Sequence, residues 1–312
     1  MIVPLLSIIR IQLLDTGIPM TLFFNFYKIS RQGYHQSIAR HKTKQKMMES
    51  IKTDVEKYRS EKDRRAGSRS LFYNLDIGKH YKIGVNKFER FMSASGLSLM
   101  PQRLKVVTTN SVSQSWNYDN LTNGLILRGV YELVVGDITY LTVGKYRYYL
   151  FCLTDVFSMK IVGYCISNRM RKQEALIAFK MFLDQRGEDG TKRCIHHTDG
   201  GGQYFAAVYL AMYPSWLETS VANSCIENGL AEQKNGYIKN HLVPTMKFKE
   251  LKSVQKEMKR LIDFYNSERK QEVLGWRTPE EVEQQMMDGK YSNRYFRLHD
   301  HVNNVPSYRF GF

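Results

Sequence analysis

The sequence has few cysteines, and none of them occurs in a Cys-x-x-Cys pair. The four cysteines, Cys152, Cys165, Cys194 and Cys225, lie far apart, and three of them fall within apolar runs typical of strands. A free cysteine in such a run behaves as a small apolar residue. This distribution argues against a disulfide framework or a zinc ribbon, and it fits a protein of the reducing cytoplasm.

The sequence also lacks an apolar run long enough to cross a bilayer. The first residues, MIVPLLSIIRIQLL, are interrupted by Pro4 and Arg10, and no small-residue cleavage site follows them. We therefore expect a protein that is not attached to a membrane. Residues 1–20 show no pattern that indicates a structure.

Acidic residues are too few to balance the basic ones. The chain of 312 residues has 46 Lys and Arg against 30 Asp and Glu, a net charge of +16. Residues 1–125 alone have 20 basic and 9 acidic residues, so most of the excess lies in the N-terminal part. Such an excess favours a polyanionic partner, nucleic acid or an acidic membrane surface. A basic surface that is merely solvated is the alternative.

The N-terminal part shows helical spacing from about residue 28 to 97. Apolar residues recur at three- and four-residue steps in the first long run, and AGSRSLFYNL and VNKFERFMSASGL indicate two shorter helices. Short basic helices joined by tight turns are typical of helix-turn-helix DNA binders, although a helical bundle without a ligand has the same pattern. We assign residues 1–104 to this region, with Arg69 and Lys87 as candidate DNA contacts. Residues 105–128, rich in Ser, Thr and Asn, are predicted to be a linker.

Residues 129–288 show the sequence patterns of strands and helices that are typical of an α/β core. Three β-rich runs joined by short turns predict an antiparallel meander. Helix and strand patterns then alternate in KQEALIAFKMFLDQR, RCIHHTD, residues 204–213, LETSVAN and CIENGLAEQKNGYIKNHL, and two further helices follow, around 250–267 and 278–288. This order predicts a mixed sheet with flanking helices. Residues 289–312 are interpreted as a C-terminal tail.

Acidic residues fall at positions of this core that can converge. Asp137 interrupts an apolar strand, Asp199 ends a later strand before three glycines, and the last core helix carries Glu227 and Glu232. A cluster of carboxylates suits Mg²⁺ or Mn²⁺, which prefer oxygen ligands. Two such ions about 4 Å apart can promote in-line displacement at phosphate. Taken singly, Asp137 could be a capped strand acid and Asp199 an ordinary turn residue.

His196 and His197 are the competing candidates for a metal site, with zinc as the metal. Adjacent strand residues point to opposite faces, so at most one of the two could face the acids. No second histidine at helical spacing and no cysteine completes a zinc site. The sequence therefore favours the carboxylates over the histidines.

Several motifs in order resemble a known family. GDITYL (136–141), HHTDGGGQY (196–204), NSCIENGLAEQKNGYIK (223–239) and FYNSERKQEVLGWRTPEEV (264–282) are similar to the OrfB-type transposases of the insertion-sequence-three family, relatives of retroviral integrases. ISRQGYHQ, AGSRSLFYNL and VNKFERFMSASGL resemble the N-terminal helical region of that family, so the resemblance covers roughly 25–285. It implies an α/β, RNase H-like mixed five-stranded sheet with flanking helices, preceded by an all-α helix-turn-helix-like region.

The resemblance implies a catalytic and metal-binding triad of Asp137, Asp199 and Glu232. It selects Glu232 over Glu227, and it implies two Mg²⁺ or Mn²⁺ ions when DNA is bound. In the family pattern, an asparagine precedes the last acid by four residues and a lysine follows it by seven, here Asn228 and Lys239. Because seven residues return to nearly the same helix face, Glu232 and Lys239 could both face a DNA phosphate.

We take Lys239, Asn228 and, in the second motif, Gln203 as candidate DNA contacts within the core. Two residues depart from the family pattern. Gly200 stands where many members have arginine, so one phosphate contact is in doubt, and Gln271 stands where histidine is usual.

The activity implied is that of a DDE transposase, which cuts DNA with water and joins the resulting 3′-OH to a target phosphodiester. No tyrosine nucleophile is needed, and Tyr140 is expected to be a packing residue. A nuclease of the same fold that never joins DNA, and a non-catalytic DNA-binding protein or decayed transposase copy, are the alternatives.

The resemblance also implies partners and a location. The partners are DNA, both the terminal repeats of the element and the target, and further copies of the chain on that DNA. Translation starting at Met20, or fusion or pairing with an upstream OrfA-type helix-turn-helix protein, would account for the first residues. The implied location is the bacterial cytoplasm, in association with the nucleoid.

Overall fold

The computed structural model describes six stretches of the chain. They are residues 19–100, 118–187, 192–222, 225–246, 250–290 and 293–312. Residues 1–18, and residues 105–117 of the expected linker, lie outside the described residues. Within the described stretches, no helix is long and apolar enough to cross a membrane.

The strands form one five-stranded and one three-stranded sheet within the described stretches. In chain order they are β1 (Ile126–Leu127), β2 (Leu133–Val143), β3 (Tyr146–Asp155), β4 (Ile161–Ser167), β5 (Cys194–Thr198), β6 (Leu217–Val221), β7 (Tyr295–Arg297) and β8 (Tyr308–Phe310). The large sheet has the order β4-β3-β2-β5-β6. Its first three strands along the chain are antiparallel neighbours, whereas β5 runs parallel to β2 and β6 parallel to β5. The core therefore has an RNase H-like fold.

The predicted meander is present, and both of its turns use a residue with positive φ. Gly144 (φ 62°) lies between β2 and β3, and Met159 (φ 63°) lies between β3 and β4. The pairing of β2 with β5 ends where Gly136 faces Thr198, whereas β2 and β3 stay paired to the hairpin turn. Among the described residues, β2 is therefore paired on one side only beyond Gly136.

Helices cover both faces of the large sheet. In chain order the helices are α1 (Met20–Phe26), α2 (Arg31–Glu61), α3 (Ser68–Asn74), α4 (Ile77–Tyr81), α5 (Val85–Ala94), α6 (Lys172–Arg186), α7 (Ala207–Leu210), α8 (Gly229–Tyr237), α9 (Leu251–Ser267) and α10 (Pro279–Met287). On one face, Phe179 and Phe182 of α6 pack against Phe151 of β3. On the other face, Leu261 of α9 belongs to the same apolar cluster as Leu141 of β2. This two-sided burial is why the strands are mostly apolar.

Two of the predicted core helices differ from the expectation. The segment 204–213 contains only the four-residue α7, because Tyr209 is buried with its ring centroid 4.5 Å from that of Phe179 and packing fixes the segment as turns. The segment 225–242 begins with a 3₁₀ turn (Cys225–Asn228), continues as α8 and ends in a π turn (Ile238–Leu242).

The N-terminal helices pack on the α/β core. Ile51 and Val55 of α2 and Phe88 of α5 are buried in the same cluster as Leu261 of α9. The apolar spacing that predicts α2 and α5 thus marks the faces that bury this surface, which is the usual driving force for such packing.

The stretch 264–282 joins the N-terminal helices to the core. The Lys270 ammonium donates to Oδ1 of Asp76 at 2.8 Å. The indole of Trp276 stacks on Tyr73 with the ring centroids 3.9 Å apart. These two contacts place the sequence motif 264–282 between the N-terminal helices and the core.

The expected C-terminal tail is folded. β7 pairs with β1 and with β8, both antiparallel. Phe296 of β7 and Leu127 of β1 are buried in one cluster with Leu133 and Val135 of β2. Strands of two and three residues are too short to show a period in the sequence, so this small sheet could not be predicted.

Candidate active site

Asp137 lies within β2 with its carboxylate partly buried. Nδ2 of Asn235, on α8, donates to Oδ2 of Asp137 at 2.7 Å. The pKa of Asp137 is raised to about 7, first by burial and then by the nearby charges of Asp199 and Glu232, while the hydrogen bond from Asn235 acts in the opposite direction. The three acids singled out in the sequence therefore lie close enough to interact electrostatically.

Asp199 follows directly after β5, and its side chain is exposed. Gly200 has φ 79°, a conformation that favours glycine. The backbone N–H of Gly201 donates to Oδ1 of Asp199 at 3.1 Å, and a Cβ on Gly201 would lie 3.2 Å from that oxygen. The glycines thus allow the turn and let the backbone hold the carboxylate.

The two glutamates of the last core helix have different surroundings. Glu227 accepts a hydrogen bond on Oε2 from Nδ2 of Asn120 at 2.7 Å. Glu232 is exposed in the first turn of α8, and its charge raises the pKa of Asp137. The geometry favours Glu232 as the third acid, and the assignment stays a prediction.

The donor chemistry around Asp137 fits a divalent cation. Three carboxylates offer only oxygen ligands, which Mg²⁺ and Mn²⁺ prefer, and like charges gathered beside a partly buried carboxylate need a counter-charge. Across the described stretches, however, no three His, Cys, Asp or Glu side chains lie close enough together to hold one metal ion. The three acids interact at a distance, and a cation would supply the counter-charge.

The candidate DNA contacts of the core have unequal positions. Asn228 is buried, and its Nδ2 donates to the carbonyl oxygen of Gly136 at 3.4 Å. This contact fixes the beginning of α8 to the strand of Asp137, and a DNA contact of the buried Asn228 stays a prediction without support from its position. Lys239 is exposed, and Gln203 is partly buried after the glycine turn. DNA contacts of these two residues remain predictions.

The candidate contacts of the N-terminal region are both exposed. Arg69 forms ion pairs with Glu89 (3.0 Å) and Glu272 (3.9 Å), so two acids partly offset its charge. Lys87 lies at the rim of an apolar groove between α2 and α5. Of the two, Lys87 is better placed for a phosphate, and both assignments remain predictions.

The two histidines of β5 are buried parts of the core. Nδ1 of His196 lies 2.7 Å from the hydroxyl of Tyr213, and Nδ1 of His197 lies 2.8 Å from Oγ of Ser220. Burial lowers the pKa of His196 to about 3 and that of His197 to about 4. Both rings are therefore neutral at physiological pH, and their contacts explain them as packing residues.

Two residues of the site differ from the expectation or were missed. Asn235 was not singled out, although its position three residues after Glu232 on one helix face is a signal that could have found it. Tyr140 was expected to be a packing residue, but 55% of its surface is exposed. The alternation of side chains along β2 predicts on which face of the sheet Tyr140 lies. It does not predict whether another element covers that face.

A second acid contacts the same helix from the N-terminal region. Asp63 is buried, with Nδ1 of His241 2.7 Å from its Oδ1 and the Tyr237 hydroxyl donating to its Oδ2 at 2.6 Å. Nε of Arg269 lies 3.9 Å from Oδ2. Burial by itself raises the pKa of Asp63, but the hydrogen bonds from His241 and Tyr237 and the charge of Arg269 hold it below its usual value. The contacts of Asp63 therefore indicate that this acid stabilises the fold.

Comparisons with known proteins agree with this geometry. Residues 128–231 and residues 218–279 each match a family model described as integrase core domain. The transposase for insertion sequence element IS629 of Shigella sonnei is 26% identical over 236 residues, 75% of this chain and 78% of that protein. The core of this chain is therefore similar to integrase core domains, and the similar curated proteins are insertion-sequence transposases. These similarities indicate a polynucleotidyl transferase of the DDE type.

Further similar proteins cover much of this chain. The transposase for insertion sequence element IS904 of Lactococcus lactis is 28% identical over 200 residues, 62% of this chain and 78% of that protein. Among solved structures, the HTLV-2 integrase catalytic core domain in complex with magnesium has a TM-score of 0.39 and 19% identity, covering 53% of this chain and 99% of that one. Asp137, Asp199 and Glu232 all lie within the residues matched by the family models. Integrase-like cores depend on divalent metal ions.

Proposed function

We propose that this transposase cuts a DNA strand at the ends of its element and joins the new 3′-OH to a target phosphodiester. In the cut, a water oxygen forms a bond to phosphorus while the bond from phosphorus to the 3′ oxygen breaks. In the joining step, the oxygen of that 3′-OH bonds to a target phosphorus, and the 3′ oxygen of the target strand leaves. Each step exchanges one phosphorus–oxygen bond for another, so no covalent protein–DNA intermediate is needed.

The observation that carries this proposal is the position of Asp137, partly buried, with a pKa of about 7, next to the charges of Asp199 and Glu232. We assign to these three residues the binding of Mg²⁺ or Mn²⁺, two ions when DNA is present. Such ions activate the attacking oxygen and stabilise the leaving one. Asn235 orients the Asp137 carboxylate, and Asn228 holds the helix that carries Glu232 against β2.

The charge distribution supports DNA as the substrate and suggests how it is held. The excess of basic residues in 1–125 would attract the phosphates of the element ends, with Lys87 as a contact. Lys239 and Gln203 would contact the strand at the active site. We further propose residues 1–104 as the DNA-binding region, residues 129–288 as the catalytic core, oligomers on DNA, and action at the bacterial nucleoid.

A strand-transfer assay tests the proposal. The full chain is incubated with Mg²⁺ and a labelled duplex that ends in the inverted repeat bordering the coding sequence, with plasmid as target. We expect shortened strands from cutting and longer strands from joining. Glu232→Gln should lower both products by at least about 100-fold, because a neutral amide is a poor ligand for a hard dication.

The matched control is Glu227→Gln, at a glutamate that lies five residues before Glu232 in the same segment and is hydrogen-bonded to Asn120. It should retain most of the cutting and joining. If Glu227→Gln is inactive while Glu232→Gln still cuts and joins, the assignment of the third acid is wrong. Cutting without any joined product from the wild-type chain would instead identify a nuclease of this fold.

A further inference from the structure

The hairpin of β2 and β3 presents an aromatic side chain next to the active site. Tyr140 lies three residues after Asp137 on β2, about 10 Å along the strand. Its side chain is 55% exposed, although the strand around it is largely apolar. Beyond Gly136 the part of the chain that the structure describes pairs with this strand on one side only, so the hairpin has an open edge there.

Two cations from different elements contact the Tyr140 ring. Nζ of Lys239 lies 4.7 Å from the ring centroid, and the guanidinium carbon of Arg147 lies 5.5 Å from it. Arg147 comes from β3, and Lys239 comes from the turn that follows the helix of Glu232. Both cationic side chains are exposed. An exposed aromatic ring flanked by cations is the arrangement that holds single-stranded nucleic acid, with bases on the ring and phosphates on the cations.

The strand geometry indicates which part of a DNA substrate this ring can meet. Successive strand residues alternate between faces, so Tyr140 lies on the opposite face of β2 from Asp137. The helix of Asn235 packs on the face of Asp137, and Lys239 from its continuation contacts the ring across the free edge of β2. A base that stays stacked in a duplex cannot place its flat face against the Tyr140 ring at such an edge. An unpaired base beside the reacting phosphate can.

We propose that Tyr140 is a stacking platform for an unpaired base next to the phosphodiester that reacts, with Lys239 and Arg147 contacting the phosphates on either side of that base. This inference rests on the proposed function, since it assigns the strand at the same active site. It makes Tyr140 a DNA-positioning residue and not a nucleophile. It also gives a reason for the exposure of a ring that the strand pattern assigns to packing.

Binding to two DNA probes tests the platform. One probe is a short blunt duplex, and the other is the same duplex with a few unpaired nucleotides at one end, one of them 2-aminopurine. Affinity is measured by fluorescence anisotropy in EDTA, where no reaction occurs. Tyr140→Ala should weaken binding of the forked probe about 5- to 100-fold and leave binding of the blunt probe nearly unchanged. The quenching of 2-aminopurine on binding should be lost, and Tyr140→Phe should restore both signals.

Two further variants serve as controls. Tyr308→Ala removes a tyrosine of similar exposure, 53%, from the small sheet and should change neither affinity. Arg147→Ala should weaken both probes and reduce the salt dependence of binding, because it removes a phosphate contact. Equal loss on both probes for Tyr140→Ala, or no loss on either, would overturn the platform.

The same protein preparations are used in the strand-transfer assay, so the two proposals can fail separately. Selective loss on the forked probe together with no cutting or joining by the wild-type chain would overturn the proposed function alone. Normal strand transfer with Tyr140→Ala binding both probes as the wild type does would overturn the platform alone.

Discussion

Asp63 and Asp137 meet the same helix two residues apart, at Tyr237 and Asn235. Asp63 is surrounded by hydrogen bonds and lies beside Arg269, and its pKa is held below the usual value. Asp137 receives one hydrogen bond from Asn235 and lies near two further acids, and its pKa is about 7. Burial disfavours the charged form of both carboxylates. The protein compensates the charge of Asp63 with its own groups, whereas for Asp137 we propose that a bound cation does so.

The segment that carries Glu232 is attached to the rest of the protein near both of its ends. At one end of the segment, Asn228 is hydrogen-bonded to the backbone of β2. At the other end, Tyr237 and His241 are bonded to Asp63, which directly follows α2. Glu232 lies between these two anchors. The N-terminal region therefore contributes directly to the position of Glu232, in addition to the DNA binding that we propose for it.

The largest expected difference concerns stability. Asp63→Asn should lower the free energy of unfolding by about 3–5 kcal/mol at pH 7, because it leaves the charge of Arg269 buried and unpaired. Since the folded-state pKa of Asp63 is lowered, its stabilising contribution is present above its ordinary pKa of 3.8 and is lost as the pH falls through the folded value. Urea unfolding followed by circular dichroism measures both effects.

An exposed aspartate gives the control for this prediction. Asp263 pairs with Lys259 at 2.7 Å on the surface of α9, and Asp263→Asn should change the free energy of unfolding by less than about 0.5 kcal/mol. If Asp63→Asn has an effect as small as that of Asp263→Asn, the cluster around Asp63 is not an anchor of the fold.

Asp137 should behave in the opposite way. Its folded-state pKa of about 7 lies above the ordinary 3.8, so between these values the folded chain binds more protons and its stability falls as the pH rises. Asp137→Asn removes this effect. In EDTA the variant should match the wild type near pH 4 and exceed its free energy of unfolding by about 2–4 kcal/mol at pH 8.

The measurement is unfolding of both proteins from pH 4 to 8, with and without Mg²⁺. Added Mg²⁺ should stabilise the wild type by about 1–3 kcal/mol at saturating concentration and should not stabilise Asp137→Asn. A difference between the two proteins that does not vary with pH would show that the charge of Asp137 is not under strain.

The sequence predicts helices and strands better than it predicts the surroundings of Asp63 and Asp137. Helix α6 occupies the predicted 172–186, and β2 and β3 lie inside their predicted runs, because period and turn residues are local signals. Family spacing selects Glu232, and helix geometry then predicts that Lys239 lies near its face, whereas Asn235 was not predicted. These parts of the candidate site required no contact between distant segments.

The parts that could not be predicted depend on contacts between distant residues. Asp63 and His241 are separated by 178 positions, and nothing in the basic run around Asp63 marks it as a buried acid. Asn228 looked like a DNA contact because its type and spacing match the family, and only the packing of α8 on β2 shows that its amide is buried. Tyr140 is exposed although the strand around it is largely apolar, which a strand pattern does not reveal.

The smallest expected effects come from removing one hydrogen bond from each aspartate. Tyr237→Phe deletes the hydroxyl that donates to Asp63, and Asn235→Leu deletes the amide that donates to Asp137. Tyr237→Phe should lower the free energy of unfolding by about 1–2 kcal/mol, because a hydrogen bond to a charged acceptor is lost, and should leave strand cutting and joining nearly unchanged. Asn235→Leu should change stability less and lower the rate of cutting about 10-fold, because the carboxylate of the active site is no longer held in place.

This pair of variants separates the roles of two residues that share one helix and lie 2 positions apart. If the anchor at Asp63 acts only on the fold, activity per folded molecule is the same for Tyr237→Phe and the wild type at a temperature where both are folded. If Tyr237→Phe instead lowers the rate of cutting as much as Asn235→Leu does, without a change in melting temperature, then the Asp63 cluster controls the orientation of Glu232 and the division into a structural and a catalytic aspartate fails. Rates measured at several temperatures below both melting transitions decide between these results, since a loss caused by unfolding grows with temperature and a loss caused by misorientation does not.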